Sequence, residues 1–167
     1  MNPMSGQSPN MSRYKFIPRV LVFLTRGNDV LLIKRAADRA VFPNQYNGVG
    51  GHVEKGESVL AAAHREIKEE SGLDPKALWL CAVVTIDTGD ANAGIVMWVF
   101  RGEAEGEPRP SAEGEIGWVS VGKVPESEMV EDIPILLPKV LAMKPGDSPL
   151  WGRYLYDQQG TLSTMFD

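Results

Sequence analysis

Three glutamates set the chemistry open to this chain of 167 residues: Glu66, Glu69 and Glu70, within Arg65-Glu66-Ile67-Lys68-Glu69-Glu70-Ser71-Gly72-Leu73. Residues three and four apart on an α-helix share a face, so the three carboxylates would project together. Like charges so placed repel, and folding gains nothing from them without a counter-charge. A hard divalent cation that prefers oxygen ligands would supply it. Carboxylate metal sites of this kind most often act on phosphates, which makes phosphate chemistry the first expectation. Just upstream, Gly51-His52-Val53-Glu54-Lys55-Gly56-Glu57 forms a glycine-rich turn with a further glutamate at its end. Alone, Glu69-Glu70 would read as the solvated outer face of a surface helix. The surrounding pattern turns the reading toward chemistry.

That pattern resembles the Nudix box at each signature position: Gly51, Glu57 after five intervening residues, Arg65-Glu66 after seven more, then Ile67, Glu69-Glu70, Gly72 and Leu73. The resemblance implies an α/β fold, an α/β/α sandwich with a mixed central sheet. It also implies a Mg²⁺-dependent hydrolase, with Mn²⁺ as a substitute, that cleaves the diphosphate link of a nucleotide. Metal ligation would fall to Glu66 and Glu70, usually joined by Glu69, with a backbone carbonyl from Gly51, where glycine allows close approach. Glu57 and Arg65 resemble the pair that braces the loop against the helix.

Members of the family often recruit one more carboxylate from a distant loop, as metal ligand or general base. Glu113 is the expected residue, with Glu115 next and Glu107 after it. The run from Gly106-Glu107-Pro108 to Glu113-Gly114, followed by Trp118, resembles the MutT-type arrangement. A solvated acidic loop is the alternative. A base set among other carboxylates would have a raised pKa, suited to accepting a proton from water near neutral pH.

Outside the box the chain is similar to the branch that hydrolyses oxidised purine nucleoside triphosphates. Asn47-Gly48-Val49-Gly50-Gly51 parallels that branch's Asn-Gly-aromatic-Gly-Gly entry, which implies that Asn47 hydrogen-bonds the base; a turn role is the alternative. Met129-Val130-Glu131-Asp132 stands where the branch carries a tryptophan followed by two acidic residues. Glu131 and Asp132 would then read the base, and Met129 would cover it. Asp132 directly precedes Ile133-Pro134, so it equally suits a helix amino-terminal cap. Trp151-Gly152-Arg153-Tyr154-Leu155-Tyr156 is similar to the closing strand of this branch. Three departures bear on base selectivity: His52 in place of a lysine, Met129 in place of the tryptophan, and Val49 in place of an aromatic residue.

The resemblance favours a nucleoside monophosphate and pyrophosphate as products. One competing reading is a pyrophosphatase for ADP-ribose or another nucleoside-diphosphate conjugate; the proline-marked segment associated with that branch is not evident. A catalytically silent, nucleotide-sensing domain is the other, and the four retained glutamates oppose it.

These residues need elements to hold them. Val20 to Leu24 and Val30 to Ile33 read as strands around the turn Arg26-Gly27-Asn28-Asp29, and a polar loop from Arg35 to Tyr46 leads into the box. Glu57 to Ser71 reads as a helix stopped by Gly72, with Leu60, Ala63 and Ile67 toward a sheet. Trp79 to Ile86, Ile95 to Arg101 and Ile116 to Val119 read as strands. Ile133 to Met143 reads as a helix with Ile135, Leu136 and Val140 as its apolar positions, and the tail as a closing hairpin.

The length suits one domain, residues 14–167, behind a polar lead-in at residues 1–13 that is expected to be disordered. A net charge of −5 argues against a nucleic-acid polymer or an anionic membrane as partner. The expected partner is a small nucleotide, bound by a monomer or homodimer. Cys81 is the only cysteine, which precludes a disulfide within this sequence and makes a reducing cytoplasm the expected location.

Overall fold

Each apolar run that reads as a short strand proves to be the centre of a longer one. In the computed structural model, which describes residues 12–167, β1 spans Lys15–Arg26 and β2 Asp29–Arg35. They are followed by β3 (Tyr46–Asn47), β4 (Val49–His52), α1 (Val59–Ser71), β5 (Leu78–Asp87), β6 (Ala93–Glu103) and β7 (Gly114–Ser120). A 3-10 turn at Glu126–Glu128 precedes α2 (Ile133–Ala142), and β8 (Leu150–Tyr156) and β9 (Leu162–Phe166) form the closing hairpin. The expected lead-in lies outside the described residues, except Ser12 and Arg13, which turn into β1. Strand β1 outruns its apolar run because it pairs in parallel with β6 from Lys15↔Ala93 to Thr25↔Glu103. Backbone pairing of that kind does not require apolar side chains.

The nine strands of the described residues join one mixed sheet, in the order β3-β2-β1-β6-β5-β8-β9, with β4 added to β1 and β7 to β2. The β1–β6 and β5–β8 pairs are parallel and the others antiparallel. The free edge of β1 is divided: Arg19 to Val22 pair with β4, and only Thr25 and Arg26 pair with β2. The sheet therefore forks there.

Strand β1 is buried on both faces, and alternate residues serve opposite cores. Leu21 and Phe23 pack with Ile133, Leu136, Leu137 and Val140 of α2. Val20, Val22 and Leu24 pack with Ala62, Ala63 and Ile67 of α1. The result is the α/β/α sandwich expected from the sequence. Cys81 is fully buried, and burial pushes its thiol pKa up to about 11.

Both helices correct the expected apolar faces. Leu60 is 46% exposed, and Ala62 takes the buried position beside Ala63 and Ile67. Two adjacent alanines let α1 lie close on Val49 and Leu31 of the sheet. Leu60 lies at the rim of the buried face that Ala62, Ala63, Ile67 and Glu70 define, while its neighbour Val59 packs against the core. The helix also begins at Val59: the Ser58 hydroxyl accepts from the Ala61 N–H at 3.1 Å, which leaves Glu57 outside the helix and free to turn back. Gly72 closes it at φ 72° as expected. In α2, Ile135 is 42% exposed, and Ile133 and Leu137 are buried instead.

Candidate active site

The catalytic box is held together by one arginine. Arg65 Nη2 and Nε donate to the two Glu57 carboxylate oxygens at 2.7 and 3.1 Å, and Nη2 also donates to the His52 carbonyl at 2.9 Å. Its Nη1 donates to Glu66 at 2.8 Å and to Glu69 at 3.2 Å. Glu57 in turn accepts the Glu54 N–H at 2.7 Å. One planar fork thus ties the 51–57 loop to α1. Arg65 donation holds the Glu57 pKa below its usual range, and the same bonds raise that of Arg65. Glu57 and Arg65 occupy the bracing positions expected of them.

Glu66 and Glu70 face β4. A Cβ at Gly51 would collide with the Glu66 carboxylate, so the bare backbone there admits the helix, and one at Gly50 would collide with the Val20 carbonyl of β1. The Gly50 N–H donates to Glu70 Oε2 at 3.1 Å. Burial raises the pKa of both carboxyls, and Glu70, 8% exposed, is pushed up to about 8. The Gly50 N–H opposes that rise, while the charges of Glu66 and Glu113 add to it. Glu69 differs: its side chain is 59% exposed and reaches the cluster only through Arg65.

Glu113 joins this cluster from far along the chain. Pairing of Arg35 with Gly114 and the Ala36 N–H to Glu113 carbonyl bond of 3.1 Å carry its segment to β2. Its carboxylate is bound by Arg39 at 2.9 Å and lines the same cavity as Glu70. Glu115 lies one step into β7 opposite Lys34, exposed and off the cavity wall, and Glu107 pairs with Arg26 at 2.9 Å. Of the three distal carboxylates only Glu113 lines the cavity.

The cavity, of about 410 Å³, is lined from both prongs of the forked sheet. Asn47 lines it, and its Oδ1 accepts the Gly48 N–H at 2.8 Å, so the side chain both shapes the turn and presents its amide NH₂. The Val130 N–H to Tyr46 carbonyl bond of 3.0 Å draws the 129–132 segment alongside. Asp132 stands at the cap position of α2 but makes no side-chain cap bond; it is buried and lines the cavity. Burial, then the charge of Glu131, raises its pKa to about 6.

The structure does not bring Glu131 or Met129 to the cavity wall. Glu131 is exposed and accepts the Tyr156 hydroxyl at 2.5 Å; Met129 is 9% exposed within the α2-side core, and Val130 takes the wall position. Val49 is fully buried against α1, so its departure from an aromatic residue concerns packing, not the cavity.

Sequence reasoning missed Arg19, Arg35, Tyr154 and Tyr156, all on the wall. The period of two could have found them: Arg19 stands two before Leu21, Arg35 two after Ile33, and the tyrosines two apart on β8. The Arg19 side chain makes no hydrogen bond or ion pair among the described residues. Burial, then the charge of Arg35, lowers its pKa, and the charge of Glu66 opposes that fall only in part. Arg35 donates from Nε to the Val41 carbonyl at 2.9 Å, leaving the rest of its fork for an anion.

The donor chemistry fits a hard cation: one buried and one half-buried carboxylate, both with raised pKa values, a third carboxylate within Coulombic reach, and a glycine backbone against them. No group of three or more His, Cys, Asp or Glu among the described residues converges at metal-ligand spacing, and Arg65 holds Glu66 and Glu69 in ion pairs. Glu66, Glu70 and Glu113 are the acidic groups that a cation could gather. Replacing Glu113 by Gln, which preserves shape but not charge, should lower kcat about a hundredfold with KM changed less than about threefold, read by steady-state kinetics. A rise in KM alone would make Glu113 a substrate contact.

The NUDIX domain model matches residues 15–140. An oxidized purine nucleoside triphosphate hydrolase of Danio rerio is 32% identical over 125 residues, covering 74% of this chain and 79% of that protein. An ADP-ribose pyrophosphatase of Methanocaldococcus jannaschii is 39% identical over 77 residues, 46% of this chain and 44% of that protein. Among solved structures, a MutT protein of Bacillus halodurans superposes with a TM-score of 0.76 at 25% identity, covering 91% of this chain and 98% of that one. With the box intact on its helix and the carboxylate cluster opening on a cavity, the chain belongs to the Nudix family and is a hydrolase of nucleotide phosphoanhydride bonds.

Proposed function

We propose that the chain hydrolyses purine nucleoside triphosphates, oxidised purines included, to the nucleoside monophosphate and pyrophosphate, using Mg²⁺ with Mn²⁺ as a substitute. The observation that carries this reading is a single cavity walled by both kinds of group: Glu70 and Glu113 with Arg19 and Arg35, and Asn47 with Asp132. The first set suits a charged phosphate chain and the second a polar base edge. Similarity to the Danio rerio hydrolase supports the substrate class.

Glu66 and Glu70, with the Gly51 carbonyl, would hold the cation. Bound there, a divalent ion offsets charge on the phosphoryl oxygens and lowers the pKa of water. Arg19 and Arg35 present guanidinium groups to the phosphate oxygens, which partly replaces the lysine absent at His52. Glu113 accepts the proton of the attacking water. Asn47 and Asp132 fix the base, which sets where the scissile phosphoanhydride rests relative to the carboxylates.

The test is Mg²⁺-dependent turnover on dGTP, 8-oxo-dGTP, pyrimidine triphosphates and ADP-ribose, with pyrophosphate resolved from phosphate. Preference for the purine triphosphates with pyrophosphate release is the expected result. Preference for ADP-ribose, or no turnover, would discard the substrate assignment and leave the fold intact.

A further inference from the structure

Buried polar side-chain atoms are rarely left without a partner, so each one that is needs an explanation. Among the described residues five such atoms occur, on Arg39, Gln45, Trp79, Arg101 and Tyr154. Only Tyr154 also lines the cavity. Tyr154 is 1% exposed, and its ring is fixed edge-to-face against Phe166 with centroids 6.0 Å apart. Its hydroxyl lies near enough to the Asp132 carboxyl for each to shift the other's pKa, though no hydrogen bond of ordinary geometry joins them. The neighbouring Tyr156 differs, because its hydroxyl is already committed to Glu131 at 2.5 Å. One wall residue therefore carries a rigid, desolvated donor with no partner, beside a carboxyl that can accept.

We propose that Tyr154 is a specificity residue: its hydroxyl donates to the carbonyl oxygen of a 6-oxo purine while the Asp132 carboxylate accepts the adjacent ring N–H. The inference rests on the purine nucleoside triphosphate reading and names the base edge that the cavity selects. A 6-oxo purine presents an acceptor at O6 next to a donor at N1, the complement of a hydroxyl donor next to a carboxylate. A 6-amino purine reverses both: its amino group meets the hydroxyl, and the N1 lone pair meets the carboxylate. Groups buried to hydrogen-bond one edge discriminate strongly against a ligand that leaves them unpaired. The bond is absent from the free protein and forms with the ligand, so the hydroxyl contributes to binding and not to folding.

That separation gives the test two readouts of opposite sign. Wild type and Tyr154→Phe are compared for kcat/KM on 8-oxo-dGTP and on its 6-amino counterpart 8-oxo-dATP, at pH 8 with Mg²⁺, and for the Tm of the ligand-free protein. The substitution should cost about tenfold on the 6-oxo substrate and less than about twofold on the 6-amino one, the size of a single buried hydrogen bond. The Tm should stay level or rise, because an unpartnered hydroxyl has been removed and the ring kept. Equal losses on both substrates, or an unchanged ratio between them, would overturn the role of Tyr154. A lowered Tm with equal losses would make the hydroxyl structural. If the wild type releases pyrophosphate from neither substrate, the triphosphate reading falls and takes this inference with it; an active wild type with an unchanged ratio in the variant sinks the inference alone.

Discussion

Replacing Glu70 by Gln should abolish metal-dependent turnover, by at least about a thousandfold, and at the same time make the metal-free protein more stable. The amide keeps the shape and can still accept the Gly50 N–H, so the loop is not disturbed. What disappears is a charge that burial, Glu66 and Glu113 all disfavour. The folded pKa, about 8, lies above the ordinary 4.5, so the stability linked to this carboxyl is complete below pH 4.5 and is lost as pH rises through about 8. The advantage of the amide is accordingly absent near pH 4.5 and largest above pH 8. A tenfold change in proton affinity corresponds to about 1.4 kcal/mol, so the advantage has a ceiling of about 5 kcal/mol, which relaxation will reduce. The Tm of the two proteins in chelator at pH 5 and pH 8.5 measures this directly. Excess Mg²⁺ should raise the Tm of wild type and not that of the variant, since only wild type gains a counter-ion for the cluster. A variant that unfolds, or that keeps its turnover, would remove Glu70 from the metal site.

The second large effect belongs to Arg65. Its truncation to Ala removes every bond joining the 51–57 loop to α1 through this fork and leaves Glu66, with a side chain only 12% exposed, without its cation. Loss of one partner from such a cluster is costly because the remaining carboxylate stays partly desolvated. The Tm should fall by about 5 °C or more, and kcat/KM by at least about a hundredfold. Lysine should not rescue it, because a single ammonium cannot reach both Glu57 oxygens, Glu66 and the His52 carbonyl in one plane. The Arg65→Lys variant should therefore recover part of the stability and little of the rate. Full recovery of activity with lysine would show that charge, and not the planar fork, sets the geometry. Circular dichroism melting and steady-state kinetics on the same preparations separate the two readings.

Much of this was legible in the linear sequence, and the reason is locality. The bracing of Glu57 by Arg65, the shared approach of Glu66 and Glu70, and the stop at Gly72 lie within one loop and one helix, where spacing of three and four residues fixes what meets what. The continuous apolar run Val20 to Leu24 read as a strand, and the structure then divided its residues between two cores. Leu60 misled because a helical stripe says which residues share a side, not where on that side the centre of the buried face falls. Asp132 admitted both a cap and a base contact, since position on the chain does not say where a side chain turns; it holds the cap position without the cap bond.

What the sequence by itself determined is therefore the glutamate-bearing helix, through short-range spacing, and, through the resemblance that its box carries, the family and the sandwich. Only the tertiary structure decided that Glu113 and not Glu115 joins the carboxylates. It alone showed that Met129 belongs to the core and that Arg19, Arg35 and Tyr154 wall the cavity. Those assignments depend on strands separated by tens of residues pairing in one register. A shift of a single residue in that pairing would exchange the buried face for the exposed one.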